Sequence, residues 1–194
     1  MNNNTLFDID FTKNKYADFK TEPSEFYLLT KTIQTPEKKQ AIFCGSFDPF
    51  TNGHLSIVKK ASKIFNTVYI VIANNINKKR YTDVFKMREA IKKTLEKENI
   101  ANVIVDFTNG LIAEYCKEKN IKYFIRGLRN NMDYNYEENI AEVNKLLNDE
   151  LEYVYFRADN KAISSSIIRE LMSFNKDVSK WVPEDVLNCM EEDK

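Results

Sequence analysis

Gly45-Ser46-Phe47-Asp48-Pro49-Phe50-Thr51-Asn52-Gly53-His54 follows a short apolar run, Ala41–Cys44, and opens a helical segment. In that segment, residues 53–65, Leu55, Ile57, Val58, Ala61, Ile64 and Phe65 recur at helical spacing. A strand, a tight turn and a helix start in that order build an anion site from backbone N–H groups and the helix dipole. Gly45 permits close backbone approach, Ser46 offers a hydroxyl, and Asp48-Pro49 stiffens the turn. Asn52-Gly53 opens the helix and aims His54, the only histidine of the chain, inward. The run has neither the spacing of a Walker A loop nor a GxGxxG fingerprint, which disfavours a P-loop kinase. The alternative, a structural turn with His54 as a helix cap, suits an isolated histidine. With Ser46 and the strand–helix context beside it, a nucleotide-handling site is the stronger reading.

Further along, strands and helices alternate. Residues 67–73 form a β-branched strand, and 82–98 a helix whose Thr82/Asp83 start resembles a cap. A strand at 103–107, a helix at 110–119 and a strand at 121–125 follow. A long helix at 134–147 leads to a strand at 153–156 and helices at 165–174 and 183–190, the last with Pro at its first turn. This alternation predicts an α/β fold, a doubly wound parallel sheet of Rossmann-like type in a single domain. Ligands of such sheets bind beyond the carboxyl ends of the strands. The motifs at 45–54, 74–80 and 126–129 all follow strands, so they are expected to meet at one edge.

The second and third motifs are basic. Lys78 or Lys79 is a candidate clamp on a second phosphate, the alternative being a solvated charge pair. Arginine is scarce, six residues in all, and two lie in Arg126-Gly127-Leu128-Arg129. There Gly127 is expected to turn the chain while the two guanidiniums grip oxyanions; the alternative is salt bridging to Asp133 or Glu137. Ile163-Ser164-Ser165-Ser166-Ile167-Ile168-Arg169-Glu170 joins a serine-rich turn to a helix, suited to a triphosphate. A serine N-cap with Glu170 nearby needs no ligand, and both readings can hold together.

Composition narrows the rest. At 194 residues the chain suits one domain, residues 41–194, preceded by a distinct segment, 1–40, of unknown role. The aromatics of that segment are expected to pack on the domain or on a neighbouring subunit. The 29 basic residues balance 29 acidic ones, so charge gives no case for nucleic acid or a membrane surface. Three scattered cysteines and one histidine argue against a structural zinc site and suit a reducing cytoplasm. No apolar run approaches a membrane span. Neither a signal peptide nor a transit peptide is expected, residues 1–40 lacking arginine.

Together, GSFDPFTNGH, Lys78-Lys79, IRGLR, the Tyr136-Glu137-Glu138 helix and ISSSIIRE resemble the bacterial phosphopantetheine adenylyltransferases over about residues 41–190. These belong to the nucleotidyltransferase superfamily marked by a T/HxGH motif. The resemblance implies transfer of the adenylyl group of ATP to 4′-phosphopantetheine. The products are dephospho-coenzyme A and pyrophosphate, at the penultimate step of coenzyme A synthesis. It implies Mg²⁺ held mainly through ATP phosphates rather than protein ligands, a cytoplasmic homo-oligomer, usually a hexamer, and coenzyme A as a candidate inhibitor. By resemblance, His54 stabilises the transition state, with Lys78 and Arg126 also catalytic. ATP is held by Ser46, Phe47, His54, Gly127, Leu128, Arg129, Glu137, Asn160, Lys161, Ala162, Ile163, Ser164, Ser165 and Ser166. The acceptor is held by Ser46, Lys78, Ile112 and Arg126. Asn160 and Ala162 stand where the family commonly carries aromatics, and Ser173 where it often carries a basic residue.

The chemistry fits these residue types. A phosphate dianion is already a nucleophile, so catalysis reduces to in-line positioning and charge neutralisation. The rivals are a related transferase with another acceptor, such as nicotinate mononucleotide, and a non-catalytic nucleotide or coenzyme A sensor. The joint presence of Ser46, His54, Lys78, Arg126 and Arg129 argues against the sensor.

Overall fold

The computed structural model describes residues 38–128, 131–158 and 163–191. Residues 1–37, Arg129 and Asn160–Ala162 therefore lie outside the described part, and with them most of the amino-terminal segment and four of the expected ATP contacts.

Five strands form one parallel sheet: β1 (Gln40–Gly45), β2 (Thr67–Ala73), β3 (Val103–Thr108), β4 (Tyr123–Leu128) and β5 (Glu152–Arg157). Their spatial order is β3-β2-β1-β4-β5, so the chain winds one way from β1 to β3 and then restarts on the other side of β1. Right-handed crossovers in opposite directions put their helices on opposite faces of the sheet. Helices α1 (Asn52–Ala61) and α2 (Val84–Lys97) accordingly pack on one face, and α3 (Ile112–Glu118) and α4 (Asn131–Leu147) on the other. The first face is completed by α5 (Ser165–Ser173) and α6 (Glu184–Glu191).

The side-chain period of two sorts the core between these faces. Ala41 and Phe43 of β1 join Val68, Ile70, Ile72 and Ile125 beneath α1, where Ile57 and Val58 are buried. Ile42 and Cys44 turn the other way, to Val71, Phe124, Ala113 and Cys116. Burial of a side chain such as Ile57, 2% exposed, is worth roughly 1.5–3 kcal/mol.

The expected fold class holds, and the differences lie at element ends. α1 stops at Ala61, and Ile64, expected on its apolar face, is 59% exposed. Phe65 still reaches the core through a closing turn whose amide donates to the carbonyl of Ala61. Asp83 rather than Thr82 caps α2, its carboxylate accepting the amides of Phe85 and Lys86. The fourth strand runs on to Leu128, so Arg126 and Gly127 belong to the sheet, not to a loop after it. Gly127 does not turn the chain. Its missing Cβ would lie 3.2 Å from Ile57 Cγ1, so glycine is there to let α1 pack close on β4. Among the described residues, no helix is long and apolar enough to cross a membrane.

Candidate active site

The winding direction reverses between β1 and β4, and open α/β sheets bind ligands in the crevice at such a switch point. A cavity of about 490 Å³ lies there, of a size that holds small-molecule ligands. Its walls come from three distant segments. The β1–α1 turn supplies Ser46, Phe47 and His54, β4 supplies Arg126 and Gly127 with Glu137 from α4, and the α5 start supplies Ile163 and Ser164–Ser166.

Thr51 is the N-cap of α1, with His54 at the third helical position, and the two close a capping box. The Thr51 amide donates to His54 Nδ1 at 3.0 Å, and the His54 amide donates to Thr51 Oγ1 at 3.4 Å. A backbone N–H only donates, so Nδ1 is the acceptor and the neutral ring carries its proton on Nε2. Both sequence readings of His54 thus hold at once: it caps the helix and it lines the cavity. Phe43, Phe47 and Phe50 surround the ring, with centroids 5.1–6.0 Å away.

Phe47 adopts φ 42°, a left-handed conformation costly for a bulky side chain. Its surroundings impose it. The ring is 3% exposed against its aromatic neighbours, and a Cβ on Gly45 would come within 3.1 Å of it. The next residue, Asp48, is buried, and its carboxylate accepts the amides of Tyr81 (2.9 Å) and Thr82 (3.1 Å). Arg169 donates to the Asp48 carbonyl, and Ser165 Oγ to the Pro49 carbonyl at 2.8 Å. The helix start is held from outside as well, since Asn52 donates through its backbone to Trp181 O (2.8 Å) and its side chain to Lys180 O (3.1 Å).

Across the cavity, Arg126 donates to Cys44 O at 3.0 Å and forms an ion pair with Glu137. The salt bridge weighed from sequence is thus present, and both its members line the cavity. Glu137 Oε1 is taken by Arg126, while Oε2 is buried without a hydrogen-bond partner among the described residues. Ser164 caps α5 by accepting the Ile167 amide, which leaves the helix N-terminus directed at the cavity wall. Burial pushes the Cys44 thiol up to about 12 despite nearby Arg126, so it is an inert wall atom.

Four residues expected at the site are not brought together with these. Lys78 and Lys79 are exposed in the loop after β2, and neither lines the cavity; nor do Ile112, at the first turn of α3, and Leu128. Sequence reasoning missed Arg80 and Arg169, the arginines that tie the β1–α1 turn to its neighbours. Arg80 stood out only as one of six arginines, and Arg169 only within the Ile163–Glu170 motif, with no partner assigned to either.

A cavity with a helix N-terminus, three serine hydroxyls, an arginine and an oriented imidazole N–H suits a polyanionic nucleotide. The comparisons agree. Residues 42–171 match the family model described as cytidylyltransferase-like, which places the chain in that class. A crystal structure from Vibrio parahaemolyticus, provisionally described as a nicotinate-nucleotide adenylyltransferase, superposes with a TM-score of 0.59. It covers 80% of this chain and 93% of that one at 18% identity, a likeness of fold alone. Closer in sequence is a Petrotoga mobilis phosphopantetheine adenylyltransferase, 46% identical over 146 residues, 74% of this chain and 89% of the relative. A Cytophaga hutchinsonii protein of the same name is 42% identical over 147 residues, 75% of this chain and 97% of the relative. The chain belongs to the phosphopantetheine adenylyltransferase family.

Proposed function

We propose that the protein transfers the adenylyl group of ATP to 4′-phosphopantetheine, releasing pyrophosphate and dephospho-coenzyme A. The observation that carries this reading is the cavity at the β1/β4 switch point. It unites the Ser46–His54 turn, Arg126 and the serine-rich α5 start in a chain of this family.

The acceptor phosphate oxygen forms a bond to the α-phosphorus of ATP, and the bond from that phosphorus to the bridging oxygen breaks. Pyrophosphate leaves with the electron pair. The acceptor dianion needs no general base, so the protein's task is alignment and charge stabilisation. His54, its proton fixed on Nε2 by the Thr51 amide, donates to an α-phosphate oxygen as charge builds there. The α5 start and Ser164–Ser166 receive the outer phosphates, and the open Oε2 of Glu137 accepts from the nucleoside. Arg126 meets the acceptor phosphate. Lys78, exposed on the loop that Arg80 fastens to Ser46, serves the acceptor phosphate from outside the cavity lining.

The donor set fits a hard cation carried on phosphate oxygens rather than one caged by protein. Among the described residues no three His, Cys, Asp or Glu converge, and the cavity's carboxylate is paired with Arg126. When bound, Mg²⁺ supplies charge neutralisation on those oxygens. The same reading places the enzyme in the cytoplasm, in keeping with three free cysteines, as a homo-oligomer.

The test is pyrophosphate release from ATP and Mg²⁺ with 4′-phosphopantetheine, nicotinate mononucleotide or phosphocholine as acceptor. Release with phosphopantetheine alone is the expected result. Release only with another acceptor would reassign the substrate, and silence with all three beside measurable ATP binding would favour a sensor.

A further inference from the structure

Arg80 stands outside the cavity, yet it touches the turn that forms the cavity's floor. Its side chain is 13% exposed and reaches three groups. Nη1 donates to Ser46 O at 2.9 Å, Nε donates to Thr82 O at 3.1 Å, and Nη2 lies 3.8 Å from Asp48 Oδ1. The Asp48 carboxylate in turn accepts the amides of Tyr81 and Thr82, on either side of the same junction. One guanidinium and one carboxylate therefore lock the segment after β2 onto the turn after β1.

The bond to Ser46 O has a specific consequence. Among the described residues the only cis peptide is Asp48-Pro49, so the Ser46–Phe47 peptide is trans, with its N–H opposite its carbonyl. Holding Ser46 O on Arg80 therefore fixes the direction of the Phe47 amide as well. It does so beside a residue whose φ of 42° would relax if that peptide plane were released. Ser46 and Phe47 both line the cavity.

Arg80 is poorly arranged for stability alone. Nη2 is buried and, beyond the 3.8 Å ion pair with Asp48, has no hydrogen-bond partner among the described residues, a cost that an apolar side chain would not incur. What an apolar side chain lacks is the planar fork that spans two carbonyls and a carboxylate.

We propose that Arg80 is a positioning residue for adenylyl transfer, setting the Ser46–Phe47 peptide plane for the transition state. The proposal rests on the transfer reaction argued above. It predicts a loss in kcat rather than in ground-state binding.

The experiment compares Arg80→Met and Arg80→Lys with the parent enzyme in the pyrophosphate assay. It is run at a temperature where circular dichroism shows all three folded, alongside amide hydrogen exchange over residues 46–51. Arg80→Met should lower kcat by about 10- to 100-fold, the scale of a small misplacement, with KM for ATP changed by less than about 3-fold. Exchange across 46–51 should accelerate. Arg80→Lys, with charge but no fork, should fall between the two. Unchanged kcat in Arg80→Met, a loss confined to KM, or full activity in Arg80→Lys would each overturn the proposal. If the parent enzyme is silent with phosphopantetheine, it is the functional reading that fails. The exchange comparison then still decides the brace: faster exchange in Arg80→Met upholds it, and unchanged exchange removes it.

Discussion

His54 Nδ1 lies 3.0 Å from the amide nitrogen of Thr51, three residues back, so the group proposed for catalysis is oriented by the helix it begins. Cap and chemistry share one ring, but substitution can separate them. Glutamine at the third helical position also reaches back to an N-cap amide. His54→Gln should therefore keep the melting temperature near the parent value. His54→Ala should lose roughly 0.5–2 kcal/mol of stability, on the scale of a lost cap interaction. Both should lower kcat by about 10²- to 10³-fold, as for a lost oxyanion donor, with ATP affinity little changed. Equal losses in rate and ATP affinity would assign His54 to ground-state binding instead.

Gly127 and Ile57 make a second separable pair. A Cβ at 127 would meet Ile57 Cγ1 at 3.2 Å and Cδ1 at 3.4 Å, within a core where Ile57 is 2% exposed. Gly127→Ala should destabilise by about 1–3 kcal/mol in urea unfolding, as overpacked cores do. In an Ile57→Ala background the same change should cost much less, because the obstructing atoms are gone. Strict additivity of the two substitutions would place the origin of the cost elsewhere.

Cys44 and Cys116 give a prediction about reactivity. Burial pushes both thiols up to about 12, so at pH 9 roughly one part in a thousand is thiolate. Iodoacetamide at pH 8–9 should leave both unmodified in the folded protein and label both in urea, as read by peptide mass spectrometry. Rapid native labelling of Cys44 would mean that the end of β1 opens far more readily than its packing implies.

The sheet was readable because its signals are local. β2 announces itself in Val68–Ile72, α1 in the spacing of Leu55, Ile57 and Val58, and the switch-point site in the turn between Gly45 and His54. The error at Gly127 arose because glycine after an apolar run looks like a turn. Its cause, an isoleucine on a helix seventy positions earlier in the chain, leaves no mark on neighbouring residues. What Arg80 and Arg169 hold was opaque for the same reason. Their partners are carbonyls 34 and 121 residues away, and a carbonyl has no sequence signature. Lys78 shows the converse: a motif at the right edge of the sheet whose side chain nevertheless stands in solvent.

Ser165 grips the carbonyl of Pro49 across 116 residues, and both segments supply walls of the cavity. A chain halted before α5 holds the β1–α1 turn and the Arg126 wall but lacks the serine-rich wall proposed to receive the outer phosphates. The wall formed by the α5 start is therefore the last part of the cavity to be made during synthesis. For the finished protein the converse follows. An occupant of the cavity bridges the first strand to a late helix, so it raises the cost of opening either end and favours only the complete fold.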